Sequence, residues 1–212
     1  MRAPSIRSGW LCLWALLLGF GLLHHQLWSA FPPDVDPINF VTALGTYDLS
    51  IDSPHPPGYP LFVGMGRLYA PWVGALHAYQ AVDLTLVLLA ATGLFALIRR
   101  QAGWPAALLG VCLLVFNPLL LAATTVQESY VSDAVFGVAV LTWITFNHHH
   151  PRRLLLGVFA LFLAFGMIRF VSTALLAPLC VVATYRLSTQ DRLKRALQSG
   201  VALGLGLSLI HI

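Results

Sequence analysis

Long apolar stretches separated by short polar connections run along the whole chain. Crossing the hydrocarbon core of a bilayer, ~30 Å thick, takes about 20 apolar residues in a helix. Seven stretches approach or reach that length: residues 9–28, 77–98, 104–123, 129–146, 154–168, 170–185 and from 196 onward. The pattern therefore predicts an all-α fold, a polytopic bundle of about seven transmembrane helices.

One more apolar stretch, residues 59–76, carries Arg67 near its middle. A charge at membrane depth is costly, and cytoplasmic connections are the ones enriched in Lys and Arg. The basic clusters at 2–7, 99–100, 152–153 and 186–195 share one side only if residues 59–76 do not cross. We therefore predict a re-entrant or interfacial helix there and a cytoplasmic N-terminus. The connections at 34–57 and 124–128, and the turn at Arg169, then lie on the outer face.

Composition narrows the class of protein. The chain is 58% hydrophobic and 9% charged, against roughly 25% charged residues in a soluble domain. This excludes a soluble enzyme and a disordered chain, and the net charge of +4 reflects membrane topology and not nucleic-acid binding. We expect a multi-pass protein of the cytoplasmic (inner) membrane. Its predicted outer side gathers seven acids and two isolated arginines: Asp34, Asp36, Asp48, Asp52, Asp83, Glu128, Asp133, Arg67 and Arg169.

The last six residues, 207–212, read LSLIHI and match the translation of a common sequencing adapter. We expect residues 1–206 to be the N-terminal part of a longer membrane protein, with 207–212 derived from the library and the natural C-terminal part missing. The alternative is an ordinary apolar helix that ends at this point.

The longest polar segment, residues 31–57, carries the first candidate chemistry. Asp34 and Asp36 form an Asp-x-Asp pair among prolines, and proline stiffens the backbone. The alternative interpretation is a helix cap in a solvated loop. His55 lies farther on, in a proline-rich segment that holds the backbone rigid, and histidine titrates near neutral pH.

These residues resemble the GT-C membrane glycosyltransferases. The resemblance rests on Asp34-x-Asp36-x-x-Asn39-Phe40, on HPPGYPLF at 55–62 and on Gly66-Arg67-Leu68. It covers roughly residues 9–185, is sharpest over 34–68, and is closest to the branch that includes protein O-mannosyltransferases and aminoarabinose lipid A transferases. It implies transfer of a hexose or pentose from a polyprenyl-phosphate donor to an acceptor hydroxyl on the outer face. The acceptor is left open between protein, glycolipid and cell-wall glycan.

The resemblance implies an acidic catalytic residue in the first outer loop, and Asp36 matches best. Asn39 stands where related sequences often carry Glu, so Asp34 becomes the candidate for a second carboxylate. A second acidic site is expected on the outer face, and Glu128 fits it. The alternative for Glu128 is a helix cap.

Arg169 is the candidate for the donor phosphate, because a guanidinium is always charged and binds phosphate in a bidentate manner. Arg67 is the second choice, and His55 and Tyr59 complete the predicted substrate-binding set. Arg169 could instead only pair with Glu128 or Asp133. The metal ligands are unknown, and a divalent cation held by acids is the one cofactor considered.

The predicted mechanism has Asp36 as the base, assisted by Asp34 or Glu128, in a single displacement that inverts the anomeric centre. The polyprenyl chain is expected in a lipid-open groove near residues 59–76. Asp83 lies deep for an unpaired acid, and we expect it to pair with Arg67 or Arg169. Two other classes remain: a transporter or lipid flippase whose charges line a pathway, and a non-catalytic membrane subunit.

Overall fold

The structure is a computed structural model that describes residues 6–54, 56, 59–169, 176–178, 180–182 and 184–185. Regular structure in these residues is helical, apart from an isolated bridge between Asp48 and Ser53. The predicted all-α class is therefore confirmed for the described residues. The helices are α1 (Ile6–Gln26), α2 (Val35–Ala43), α3 (Pro60–Val73), α4 (Ala78–Val115), α5 (Pro118–Thr124), α6 (Val131–Asn147) and α7 (Pro151–Ile168), with single 3-10 turns at Leu49–Ile51 and Ala75–His77.

Helix α4 is the centre of the packing and contacts α1, α3 and α6, while α7 packs on α6. Helix α1 shows why the sequence fits this arrangement. One side of it is buried against α4, through Leu13, Leu17 and Phe20. Its opposite side is equally apolar but exposed, through residues that include Leu11, Trp14, Leu18 and Leu22. A helix that is apolar all round suits a membrane better than water.

The long helix α4 is broken once. Gly103 has φ 82° and ψ 171°, outside the helical region, and Pro105 follows it. Positive φ is the region that favours glycine, and the proline adds a fixed φ to the restart of the helix. The break divides the helix into an N-terminal piece beside α3 and a C-terminal piece that leads to α5.

The prediction of about seven spanning helices is wrong. Among the described residues, two helices are long and apolar enough to cross a membrane, Ser8–Gln26 and Ala75–Val115. The stretches 77–98 and 104–123 lie on the two sides of the break at Gly103 within α4, and the second stretch is interrupted again where Asn117 caps the short α5. Helix α6 has 17 residues, or about 26 Å at 1.5 Å per residue. The stretch from 196 onward lies outside the described residues, as does most of 170–185.

Helix α7 begins with Pro151 and carries Arg152 and Arg153 in its first turn. Hydropathy counts apolar residues without locating helix ends, and this is why it predicted more spans than the helices support.

Residues 207–212 also lie outside the described part of the chain.

Helix α3 has 14 residues, or about 21 Å, shorter than the bilayer core of ~30 Å. It begins after Tyr59, whose φ is 47°, and ends at Gly74, whose φ is 82°. Its length agrees with the expectation that residues 59–76 do not cross. Its sides pack on α4 and α7.

An aromatic cluster of Phe40, Tyr59, Phe62 and Tyr79 fastens α2 and α3 to the start of α4. Phe62 stacks on Tyr79 with ring centroids 4.7 Å apart, and Phe40 meets both rings edge-on. The Tyr79 hydroxyl donates a hydrogen bond to the Phe40 carbonyl at 2.8 Å. Gly66 allows this approach, because a Cβ there would lie 2.6 Å from the Tyr79 ring. The cluster fixes the position of α2.

Candidate functional site

Helix α2 begins at the Asp-x-Asp pair. The Asp34 side chain caps the helix by accepting from the Val35 amide at 2.7 Å, a contact that satisfies an otherwise unpaired N–H. Asp34 is exposed, so the structure gives it the cap role that the sequence left as the alternative. Asp36 lies within the first turn, half-buried, where the helix dipole favours a carboxylate.

The segment between α5 and α6 is held by buried amides. Gln127 is fully buried and its Nε2 donates to the Leu76 carbonyl at 3.0 Å. Gln80, also fully buried, donates to the carbonyls of Ser29 and Thr125. These contacts fix the backbone just before Glu128. Helix α6 has Tyr130 at its N-cap with no side-chain cap bond, so Glu128 is not the cap of that helix.

A buried histidine ties the end of α1 to the end of α5. The Trp28 indole donates to His24 Nδ1 at 2.9 Å, and His24 Nε2 lies 2.6 Å from Thr124 Oγ1. The Thr124 hydroxyl itself donates to the Leu121 carbonyl, so Nε2 carries the hydrogen and the ring is neutral. His24 follows the buried Phe20 by one helical turn and shares the buried side of α1.

Four of the predicted site residues meet in one small polar cleft. Asp36, Tyr59, Glu128 and Arg169 line it, together with Phe40, Ser129 and Tyr130. The cleft has a volume of about 70 Å³, room for a few water-sized groups but not for a whole sugar ring. It brings together α2, the start of α3, the segment before α6 and the residue after α7. The three predicted outer connections therefore meet at one end of the bundle.

Arg169 follows the last residue of α7 in extended backbone, with φ −157°. Its guanidinium carbon lies 4.1 Å from the centre of the Tyr130 ring, a distance typical of cation–π contact. Its Nε lies 3.4 Å from Asp133 Oδ1. The ion pair left open by the sequence is therefore present, and it engages Nε, while the guanidinium has further donors on its terminal nitrogens. Sequence reasoning missed Tyr130 as a site residue, although it lies two positions after Glu128.

The electrostatics of the cleft centre on Glu128. Burial raises the pKa of its carboxyl, and the nearby charges of Asp36 and Asp34 raise it further. Arg169 acts in the opposite direction and lowers the pKa. Glu128 therefore binds a proton more readily than an ordinary glutamate. A carboxyl with a raised pKa is suited to proton transfer near neutral pH.

Arg67 does not line the cleft. Arg67 donates to the carbonyls of Ala43 and Leu44, at 2.9 and 3.1 Å. A cation at the C-terminal end of a helix satisfies its last carbonyls and complements its dipole, so Arg67 fastens α3 to α2 outside the cleft. His55 lies outside the described residues.

Asp83 on α4 is fully buried, and neither carboxylate oxygen has a hydrogen-bond partner among the described residues. The predicted pairing with Arg67 or Arg169 is wrong, because those arginines contact α2 carbonyls and Asp133 instead. Among the described residues, no group of three or more His, Cys, Asp or Glu is placed to hold a metal ion.

No protein family, curated protein or solved structure matches this chain.

Proposed function

We propose that the chain is the N-terminal part of a membrane glycosyltransferase that takes a hexose or pentose from a polyprenyl-phosphate donor. One observation carries the proposal. Asp36, Glu128 and Arg169, from three distant segments, line the same polar cleft. Sugar transfer from a phosphate-linked donor requires a proton acceptor and a cation beside the leaving phosphate, and the cleft has both kinds of group.

The reaction is a single displacement. The acceptor hydroxyl attacks the anomeric carbon and gives its proton to the Asp36 carboxylate, which acts as the general base. The bond between the anomeric carbon and the phosphate oxygen breaks, and the lipid phosphate leaves with the electron pair. The Arg169 guanidinium stabilises the negative charge that grows on that phosphate. Attack opposite the leaving group inverts the anomeric centre.

The other cleft residues assist. Because burial raises the pKa of Glu128, this residue carries less negative charge beside the phosphate than an ordinary glutamate at the same pH. Tyr59 lines the cleft on the side of α3, where its hydroxyl can contact the sugar. Asp34 and Arg67 position α2, and His55 remains a substrate-binding candidate.

The cleft faces the outer side of the cytoplasmic membrane in this proposal. The N-terminus is cytoplasmic, and Ser8–Gln26 and Ala75–Val115 provide membrane crossings in a multi-pass chain. The exposed apolar side of α1 supports contact with lipid. Acceptors on that side are protein hydroxyls, glycolipids and cell-wall glycans.

The test is a donor assay on the full-length gene product in lipid, with radiolabelled polyprenyl-phosphate sugars and a membrane extract as acceptor. We expect wild type to transfer label and Asp36→Asn to lose the transfer. Asp52→Asn is the matched control, because Asp52 is exposed in the same loop with φ 54°, a conformation that Asn tolerates. Full transfer by Asp36→Asn would show that Asp36 is not the base.

A transporter or lipid flippase is the second candidate, and Asp83 is the observation that favours it. A buried carboxylate with no hydrogen-bond partner in the described part of the chain, in its longest apolar helix, is typical of transport pathways. The same preparation distinguishes the two. If no sugar is transferred and Asp83→Asn abolishes flux of a labelled lipid across vesicles, the transporter replaces the enzyme.

A further inference from the structure

A large apolar cavity lies between α4, α6 and α7, separate from the polar cleft. Its volume is about 560 Å³, within the range of roughly 300–1,000 Å³ for ligand sites. Along α6 its lining runs from Val135 to Asn147, a rise of about 18 Å. The cavity is therefore long and lined almost entirely by apolar side chains.

One end of this cavity adjoins the polar cleft. Ile168 lines the cavity and Arg169 lines the cleft, at successive positions after α7. On α6, Val135 lines the cavity two residues after Asp133, the ion-pair partner of Arg169. An anionic head held by Arg169 would thus have its apolar chain directed into the cavity.

Trp143 lines the cavity near its far end, one helical turn before Asn147. Its indole lies on the backbone of Gly157, where an added Cβ would overlap the ring. Its Nε1 donates to the Arg153 carbonyl at 3.2 Å. The absence of a side chain at Gly157 is what lets the large ring lie against α7. Trp143 therefore narrows the cavity toward this end.

We propose that this cavity binds the hydrocarbon chain of a phosphate-headed lipid, and that Trp143 sets the length of chain that fits. The inference rests on the proposed function and specifies where its donor chain lies. This place differs from the groove beside residues 59–76 expected from the sequence. The occupant is a lipid with an anionic head, because the end of the cavity at Ile168 lies beside the Arg169 guanidinium.

The experiment measures binding without sugar transfer. The full-length protein in lipid nanodiscs is irradiated with farnesyl phosphate or geranylgeranyl phosphate carrying a diazirine at the chain end, and the cross-linked residues are located by mass spectrometry. Ala164→Phe fills the cavity, and Ala160→Phe makes the same change at an exposed position on α7. Trp143→Ala deepens the cavity, and Trp72→Ala is its control on the exposed surface of α3.

We expect cross-links to residues that line the cavity and a roughly tenfold loss of labelling in Ala164→Phe, because overpacking an apolar site is destabilising. Ala160→Phe and Trp72→Ala should label as wild type. Trp143→Ala should shift the preference toward the longer chain, and diazirine-labelled farnesol should label more weakly than the phosphate.

Several results would overturn the proposal. Equal labelling of the two Ala→Phe variants would do so, as would equal labelling by farnesol and farnesyl phosphate, which indicates an ordinary bilayer lipid. A photoactivatable residue at Thr142, on the cavity wall, that cross-links to the protein's own residues beyond 185 would show that the chain itself fills the space. Cavity labelling together with failed sugar transfer would leave the lipid site intact and remove only the glycosyltransferase.

Discussion

Phe40 links the stability of the bundle to the cleft, so its truncation to alanine tests both. The ring is 2% exposed, and its centroid lies 5.2, 5.3 and 5.6 Å from those of Tyr59, Phe62 and Tyr79. Truncating a buried Phe costs about 3–5 kcal/mol of unfolding free energy. Each kcal/mol lowers Tm by roughly 2–4 °C in a chain of this size. Phe40→Ala should therefore lower Tm by about 6–20 °C.

A thiol-reactive fluorogenic dye measures this transition in detergent. Cys180 is buried and becomes reactive on unfolding, whereas Cys12 is exposed and is replaced by serine in all variants. Ile38→Ala, on the exposed side of α2, is the control and should change Tm little. Because Asp36 lies one helical turn before Phe40, sugar transfer should fall in Phe40→Ala as well. Equal Tm values for Phe40→Ala and Ile38→Ala would refute the aromatic cluster as the anchor of α2.

Three further predictions concern the cleft and its support. Glu128 has a raised pKa when folded, so its stabilising contribution is present below its ordinary pKa of about 4.3 and is lost as pH rises through the folded value. The Tm of Glu128→Gln should therefore increase relative to the Tm of wild type as the pH rises. If the two Tm values change with pH by the same amount, the burial of Glu128 is contradicted. Arg169→Gln should lower sugar transfer roughly 10²–10³-fold. Arg169→Lys should lose less, because lysine keeps the charge but not the planar group that binds phosphate in a bidentate manner. An equal loss in the two variants would show that the positive charge alone does not support transfer. Tyr79→Phe removes the hydrogen bond to the Phe40 carbonyl and should lower the free energy of unfolding by about 1–3 kcal/mol, measured by denaturant unfolding. An unchanged unfolding midpoint would contradict this prediction.

The sequence alone was sufficient where a local pattern has one structural outcome. The apolar stretches required helices, the Asp-Pro segment predicted the start of α2, and a lone arginine in an apolar stretch argued against a crossing by residues 59–76. Charge distribution also grouped Asp36, Glu128 and Arg169 on one side, and these side chains line one cleft in the structure. Their chemical roles stay predictions.

The partners of the charged side chains could not be predicted in this way. Arg67 and Arg169 are alike in sequence, each a lone cation in an apolar stretch. In the structure Arg67 bonds to the last carbonyls of α2, while Arg169 lies over Tyr130 beside the acids. The difference depends on which helix end packs against each residue. Asp83 was likewise expected to pair with one of them and pairs with neither.

Sequence therefore determined the class of secondary structure, because helix formation depends on short runs of residues, and it grouped three of the charged side chains that line the cleft. Tertiary structure decided the number of full-length apolar helices, the partner of each arginine and the position of the large apolar cavity. These depend on where helices break, as at Gly103 and Asn117, and on how closely their backbones approach, as where Trp143 lies on Gly157. The helix breaks are local, but close approaches such as that of Trp143 to Gly157 join residues from different helices, and no local pattern contains them.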